Sequence, residues 1–348
     1  MPNARSTHLS RRGVLAAGGA LGLGAVLAAC GDDDAKSAGS GSASGAAKTG
    51  AWTFKDDRGT TVKLASVPTK LVAFTGVAAA LYDYGIDVKG VFGPTTTKDG
   101  SADVQAGDMD VSKLTVFGNV WDQFNVEKFA AFGPQLLITT MFDSAGTLWY
   151  VPEASKDKIA KLAPSVGISV YDRQLTAPLQ RMWALAESLG ADMTAAKVTA
   201  AKKKFEEAAA RLRKAAKAKP ELKVLAGSAS DTLFYVSGSN LSIDLEYFKA
   251  LGVNFVEPPA SAMKDGGGWY ESLSWENADK YAADIIMMDD RTSAIQPAAI
   301  TKPTWKKLPA VKAGQVISRS PEPILSYDKC TPLLTSLAEA LETAKKVS

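Results

Sequence analysis

The chain carries one unit of sequence twice, and this repeat limits the folds that it can adopt. Asn125–Thr140 and Ser274–Asp289 each open on Asn or Ser, place a glutamate two residues later, and end on a continuous apolar run. The opening is typical of the first turn of a helix, and the apolar run is typical of a buried strand. Because helices that alternate with buried strands cover parallel sheets, the repeat predicts two similar α/β lobes.

Apolar runs of strand length alternate with helical patterns through the rest of both halves. The pattern predicts strands at 71–75, 88–92, 136–139, 222–226 and 285–288, and helices at 78–84 and 241–251. This order indicates two Rossmann-like lobes with mainly parallel sheets. We therefore expect an α/β protein with an N-terminal lobe at residues 51–191 and a C-terminal lobe at residues 220–348.

One long helical segment, at residues 192–219, separates the two halves. Its interior is rich in alanine, lysine, glutamate and arginine and lacks glycine and proline, and Asp192 and Pro220 are its predicted N-cap and stop. The pattern fits an ordinary amphipathic helix on one domain or a rigid strut between two lobes, and the repeat on either side favours the strut. Since ligands of α/β sheets bind beyond the carboxyl ends of the strands, we expect one ligand cleft between the lobes.

The first 50 residues are predicted to direct export and anchoring. Residues 1–29 resemble a signal peptide, because Arg11 and Arg12 precede an Ala/Gly/Leu/Val run that is too short and glycine-rich to span a membrane. The paired arginines also resemble a twin-arginine export signal. The run ends Leu-Ala-Ala at Cys30, which resembles a bacterial lipobox with a lipidated cysteine; the alternative is a plain secretory peptide with a chance cysteine. Residues 30–50 would then form a flexible tether.

The composition without this leader excludes several classes of function. The formal net charge of +3 comes from arginines within residues 1–29, so the remainder is balanced and nothing points to a nucleic-acid partner. The only histidine, His8, also lies there, which excludes histidine triads and histidine-ligated zinc or haem. Cys330 is the only other cysteine, so we expect no disulfide and a small core residue. No metal site and no cofactor are expected.

Several stretches resemble the substrate-binding proteins of bacterial ABC importers, in the class with one long helix between the lobes. The resemblance covers about residues 52–346 and rests on Pro68–Ala73 with Ala79–Ile86, Asn125–Glu127 with Pro134–Ile138, Ser274–Glu276 with Ala283–Ile286, and Trp305–Val316. That class takes up ferric siderophores, haem and cobalamin. The resemblance implies a monomer, lipid-anchored at the extracytoplasmic face of the cell membrane, that captures a ferric-siderophore complex, delivers it to an ABC permease and catalyses nothing.

Three other functions are weighed against this one. The same machinery could carry cobalamin, haem or another bulky ligand. A secreted α/β hydrolase would need a Gly-x-Ser-x-Gly turn and a base. Gly227–Asp231 lacks the final glycine, and no histidine lies outside residues 1–29 to act as the base. A structural cell-surface protein would not need the aromatic residues that the sequence places near the predicted strand ends.

Two glutamates are candidates for docking to the permease. Glu127 and Glu276 each lie two residues after a plausible cap, Asn125 or Ser274, where a carboxylate favours the helix dipole by about 0.3–1 kcal/mol. This stabilisation alone could explain them. In the resembling family, however, one glutamate at the tip of each lobe docks into arginine pockets on the permease, and these two match the motif.

The ligand-binding candidates are aromatic residues and arginines near the predicted strand ends and loops. The run Asp289–Arg291 directly follows a buried strand, and the planar fork of Arg291 suits the oxygens of a siderophore. Some of the aromatic candidates could equally pack within their own lobe. The full set is Arg291, Trp269, Tyr270, Trp121, Tyr150, Arg173, Tyr235 and Tyr327.

Overall fold

The computed structural model describes residues 50–348. The predicted signal peptide, Cys30 and nearly all of the predicted tether lie outside these residues. The strands are β1 Trp52–Lys55, β2 Thr61–Leu64, β3 Leu71–Phe74, β4 Gly90–Phe92, β5 Thr115–Val116, β6 Leu136–Met141, β7 Ser165–Ser169, β8 Val224–Ala229, β9 Leu233–Ser237, β10 Tyr270–Ser274, β11 Ile285–Asp289 and β12 Val316–Arg319. The α-helices are α1 Thr75–Asp83, α2 Val126–Phe132, α3 Lys156–Leu162, α4 Thr176–Ser188, α5 Ala196–Ala218, α6 Ile243–Ala250, α7 Pro303–Lys307, α8 Pro309–Lys312 and α9 Tyr327–Thr343.

The sheet of the N-terminal lobe is wholly parallel, with strand order β5-β4-β3-β6-β7. Its central strands β3 and β6 are buried along their whole length. Parallel strands are covered by helices on both faces, which is why the run Leu136–Met141 is apolar or threonine throughout. A separate antiparallel hairpin, β1 with β2, precedes this sheet.

The sheet of the C-terminal lobe is mixed, with strand order β10-β9-β8-β11-β12. Strands β8, β11 and β12 are parallel, whereas β9 returns beside β8 as a hairpin and β10 pairs antiparallel with β9. The hairpin closes where the backbone N–H of Ser230 donates to the carbonyl of Leu233 at 2.9 Å. The predicted fold class, α/β with two lobes and mainly parallel sheets, is confirmed.

The long helix between the lobes, α5, begins later than the sequence predicts. Asp192 does not cap it: the Asp192 carboxylate accepts from the N–H and the hydroxyl of Thr194, at 2.9 and 2.6 Å, and so closes a turn of its own. Ala195 occupies the N-cap position without a side-chain hydrogen bond, and 23 helical residues follow. The tight Asp192–Thr194 turn therefore moves the N-cap of the helix three residues later, from Asp192 to Ala195.

A second helix, α9, runs beside α5 and also connects the lobes. At its start the Ser326 hydroxyl donates to Asp83 of α1, in the N-terminal lobe. Just after its end the N–H of Lys345 donates to Gln315, beside β12 of the C-terminal lobe, at 2.8 Å. Arg211 of α5 forms ion pairs with acidic residues of α9, including one with Glu342 at 2.6 Å. The lobes are thus joined by the long helix that the sequence predicts, α5, and α9 adds a second brace beside it.

No helix within residues 50–348 combines the length and the apolar character that crossing a bilayer would require.

Replacing Asp284 with Asn is expected to lower the free energy of unfolding by about 1–3 kcal/mol. The carboxylate is fully buried and accepts from the backbone N–H groups of Lys223, Val347 and Ser348 at 2.8, 2.7 and 2.8 Å. Burial acts to raise the pKa of Asp284, but these hydrogen bonds outweigh it and hold the pKa below its ordinary value. The stabilisation is therefore present above the pKa of the unfolded chain and is lost as the pH falls through the lower folded pKa.

Urea denaturation of both proteins at neutral and at strongly acidic pH tests this expectation. The difference between wild type and variant should be full at neutral pH and should vanish in acid. The matched change Asp279→Asn, at an exposed carboxylate, should have little effect at either pH. A variant as stable as wild type at neutral pH would contradict the role of Asp284.

Candidate ligand cleft

One cavity of about 680 Å³, called the cleft here, lies between residues of the two lobes. Its lining residues cluster at the carboxyl ends of strands: Phe142 follows β6, Asp289 ends β11 and Arg319 ends β12. This is the edge at which α/β sheets bind ligands. The volume falls within the range of about 300–1,000 Å³ that is typical of small-molecule sites.

Aromatic side chains from both lobes form the wall of the cleft. In the N-terminal lobe, Trp149 packs against Trp121 and Phe142 with ring centroids 4.7 and 4.6 Å apart. Across the cleft Trp269 of the C-terminal lobe lies 6.2 Å from Phe142, centroid to centroid. Trp121 is 56% exposed, and its neighbour Asp122 holds a left-handed backbone conformation with φ of 62°. Open aromatic faces of this kind suit a bulky ligand with apolar surface.

Arg291 lies on the floor of the cleft between two carboxylates. Its Nε donates to both oxygens of Asp289, at 3.0 and 3.2 Å, and its Nη2 donates to Asp289 Oδ2 at 2.7 Å. Its Nη1 contacts the carboxylate of Glu322, which comes from the segment between β12 and α9. Burial raises the pKa of Glu322 above its ordinary value, and the neighbouring Arg291 acts in the opposite direction.

A second arginine, Arg319, also reaches the cleft and is held by a buried ion pair. Its Nε and Nη2 donate to the two oxygens of Asp244, at 2.7 and 3.0 Å, and its Nη1 donates to the hydroxyl of Ser237 at 3.1 Å. Arg319 is 3% exposed and Asp244 is 1% exposed. A bidentate pair of this geometry fixes the guanidinium plane.

Most of the predicted ligand-binding residues lie around the cleft. Those that line it are Trp121, Tyr235, Trp269, Tyr270 and Arg291. Tyr150 lies behind this lining, with its ring 5.1 Å from Trp121 and 5.3 Å from Phe74, so it supports the wall.

Two predicted residues lie elsewhere. Arg173 lines a separate polar cavity of about 370 Å³ in the N-terminal lobe, where its Nε donates to the carbonyl of Tyr171 and turns the guanidinium toward Asp57. Tyr327 is buried in the first turn of α9, with its ring packed on Trp183 and Phe205 at 5.7 and 5.3 Å. Ser326 is the N-cap of α9, so Tyr327 is the first residue of the helix, and its side chain is buried in the core.

Sequence reasoning missed Arg319, Trp149 and Glu322. Arg319 could have been predicted from the sequence, because it is the last residue of strand β12, at the same edge of the sheet as Asp289, the last residue of β11. Glu322 had none, since its surroundings depend on the long-range contacts of the Pro321–Pro323 segment.

The two candidate docking glutamates are both exposed, one on each lobe. Glu127 lies in the first turn of α2, and Asn125 caps that helix by accepting from the N–H of Lys128 at 2.8 Å. The expected α-helix at Glu276 is wrong. Trp275–Asn277 form a single 3-10 turn, because the buried Trp275 indole donates to the carbonyl of Ser230 and ties the chain to the sheet. The backbone N–H of Glu276 and the hydroxyl of Ser274 lower the pKa of Glu276.

One group of acidic side chains among residues 50–348 lies close enough to hold a metal ion: Asp83, Asp108 and Asp328. The ammonium of Lys329 already lies 2.7 Å from Asp108 and neutralises part of this group. None of these residues lines the cleft. The free cysteine, Cys330, is fully buried in the core, and burial raises the pKa of its thiol.

Comparisons with known proteins agree with this architecture. DesE from Streptomyces coelicolor, described as a ferric-siderophore receptor protein, is 76% identical with a TM-score of 0.84, over 85% of this chain and 100% of that chain. The iron-uptake substrate-binding protein PiuA from Streptococcus pneumoniae is 21% identical with a TM-score of 0.62, over 85% of this chain and 100% of that chain. The petrobactin-binding protein YclQ from Bacillus subtilis is 18% identical with a TM-score of 0.60, over 84% of this chain and 99% of that chain. At these lower identities the likeness shows the fold.

The comparison with curated proteins gives no match. A family model described as periplasmic binding protein matches residues 72–323, which include both sheets up to the segment after β12. The chain therefore belongs to the periplasmic binding protein family.

Proposed function

We propose that the protein captures a ferric-siderophore complex outside the cytoplasmic membrane and delivers it to an ABC permease. The observation that carries this proposal is the cleft. It has a volume of about 680 Å³ and is lined by aromatic rings from both lobes and by two arginines, Arg291 and Arg319. The 76% identity with a ferric-siderophore receptor protein supports the same ligand class. The protein would bind its ligand without chemical change.

The lining of the cleft favours a bulky chelate over a bare metal ion. A bare ion needs clustered carboxylate, histidine or thiolate ligands. In the cleft the carboxylates of Asp289 and Glu322 contact Arg291, which leaves Asp143 as the carboxylate of the described lining without an ion pair, and the tryptophans present apolar faces. The group of acidic side chains among residues 50–348 that lies close enough to hold a metal ion is outside this lining. A ferric siderophore shields its iron within an organic shell, and this shell can stack on aromatic rings.

Anchoring and docking complete the proposal. Lipidation of Cys30 after removal of residues 1–29, by a twin-arginine or general route, would hold a monomer at the membrane by the tether 30–50. Glu127 and Glu276 would dock to the permease from the two lobes. Arg291 and the aromatic lining would hold the chelate.

Adding a cognate ferric siderophore is expected to raise the melting temperature of the purified protein. A ligand that binds only the folded state stabilises it by mass action, by about 2.7 kcal/mol when its free concentration is a hundredfold above its dissociation constant. Quenching of tryptophan fluorescence should follow the same titration, because Trp121, Trp149 and Trp269 line the cleft. Differential scanning fluorimetry with a panel of ferric siderophores, cobalamin and haem measures the shift.

The iron-free siderophores and a Trp269→Ala variant serve as controls. The variant should fold and should show a smaller shift. If only cobalamin or haem raises the melting temperature, that ligand replaces the ferric siderophore in the proposal. If no bulky chelate raises the melting temperature, the proposal is overturned.

A further inference from the structure

The floor of the cleft contains more negative than positive side chains. Arg319 is paired with Asp244, and Arg291 is paired with Asp289 through three donated hydrogen bonds. Asp289 also accepts from the hydroxyl of Ser228 at 2.9 Å. These two pairs are balanced, so the carboxylate of Glu322, in contact with Arg291, adds a further negative charge that no other cation in the cleft lining balances. Asp143 also lines the cleft and accepts from the N–H of Thr147, so it adds to the negative charge at the cleft edge, but Glu322 is the surplus carboxylate in contact with the arginine floor.

Glu322 is fixed in this place by contacts with both lobes. Its Oε2 accepts from the indole N–H of Trp149, in the N-terminal lobe, at 3.3 Å. Its backbone carbonyl accepts from the Nε2 of Gln105, also in the N-terminal lobe, at 2.7 Å, while its Oε1 contacts Arg291 of the C-terminal lobe. Pro321 and Pro323 restrict the backbone on either side. The side chain is 16% exposed, and partners on both of its oxygens, Trp149 and Arg291, hold the carboxylate in the lining of the cleft.

We infer that Glu322 determines the charge of the ligand: it leaves the cleft without an unpaired cation, so the cleft accepts neutral or cationic ferric chelates and rejects anionic ones. This inference rests on the proposed function. An anionic chelate would be brought, partly desolvated, against a surplus carboxylate, with both arginines already engaged. Like charges held close together in a partly buried site repel far more strongly than in water, and rejection by repulsion is a general route to specificity.

The test compares wild type with Glu322→Gln, which keeps the shape of the side chain and an oxygen for the Trp149 indole but removes the charge. Isothermal titration or tryptophan quenching measures the dissociation constants of two probes: a neutral ferric trihydroxamate and an anionic ferric tricatecholate. We expect wild type to prefer the neutral chelate. In Glu322→Gln the affinity ratio should shift toward the anionic chelate by about tenfold or more, which corresponds to about 1.4 kcal/mol. Affinity for the neutral chelate should change by much less.

A matched control is Glu342→Gln, which makes the same charge change at an ion pair with Arg211 between α5 and α9. This variant should leave the ratio unchanged. If Glu322→Gln does not fold, as judged by circular dichroism, a salt series on wild type replaces it: rejection of the anionic chelate should weaken as ionic strength rises.

An unchanged ratio in a folded Glu322→Gln, or equal affinity of wild type for the two probes at low salt, would overturn the inference. Failure of every chelate to bind wild type would instead overturn the proposed function, so the two failures are distinguishable.

Discussion

Replacing Asp244 with Leu is expected to lower the free energy of unfolding by about 3–5 kcal/mol, because it leaves a buried arginine without its counter-charge. Arg319 is 3% exposed and directs two of its donors at Asp244, at 2.7 and 3.0 Å. The hydroxyl of Ser237 is the remaining partner of the guanidinium and carries no charge. Chemical denaturation by urea, followed by circular dichroism, measures the loss.

Two further variants separate the loss of the pair from the loss of one partner. The double change Asp244→Leu with Arg319→Met replaces both charges by apolar groups and should recover much of the stability, since removing a whole buried pair costs far less than orphaning one charge. Glu342→Leu, which breaks an exposed pair with Arg211, should cost much less than Asp244→Leu. If Asp244→Leu were as harmless as this surface change, the ion pair would not hold the cleft floor together.

Replacing Glu127 and Glu276 together with Ala is expected to abolish uptake of the chelate by cells while leaving its dissociation constant unchanged. Both carboxylates are exposed, one on each lobe, and neither lines the cleft. Charge-assisted pairs with arginines of a permease would fix the orientation of the complex and speed the encounter. The hydrogen bonds of the Glu276 backbone N–H and the Ser274 hydroxyl lower the pKa of Glu276 below its ordinary value, which favours the charged form that docking requires.

Uptake of radiolabelled iron by cells and titration of the purified variant measure the two quantities. The control replaces Glu153 and Glu221, which are also exposed and lie in different lobes, and should leave uptake intact. Weaker ligand binding by the Glu127 and Glu276 variant would show that these residues act in the cleft. Normal uptake would show that docking uses other residues.

The regular elements could be predicted because their signals are local. The runs that became β6 and β11 are mostly apolar and are buried over their whole length, as is typical of strands covered on both faces. The cap at Asn125 is equally local, since it depends on a residue three positions away. The placement of α9 beside α5 could not be predicted this way, because it depends on contacts such as that between Arg211 and Glu342, far apart in the chain.

The candidate site was predictable where a residue type and a strand end coincide. Arg291 lies two residues after the end of β11, and Trp269 and Tyr270 follow a glycine run at the start of β10. Glu322 was not predictable, because its role comes from Trp149 and Arg291, which belong to different lobes. Tyr327 was predicted to bind ligand because it lies near a turn, where aromatic residues are often accessible. Its burial depends on the packing of α9, which the sequence does not show.

The position of α9 in the chain affects how a nascent polypeptide can mature. This helix is translated after every strand of both sheets, yet its cap residue Ser326 donates to Asp83 of α1, and the ring of Tyr327 packs on Trp183 of α4. Domains commonly fold in the order of their synthesis, amino-terminal part first. Here the earlier half cannot complete its packing until α9 has been synthesised, so the last step in the packing of the N-terminal lobe depends on residues of the later half.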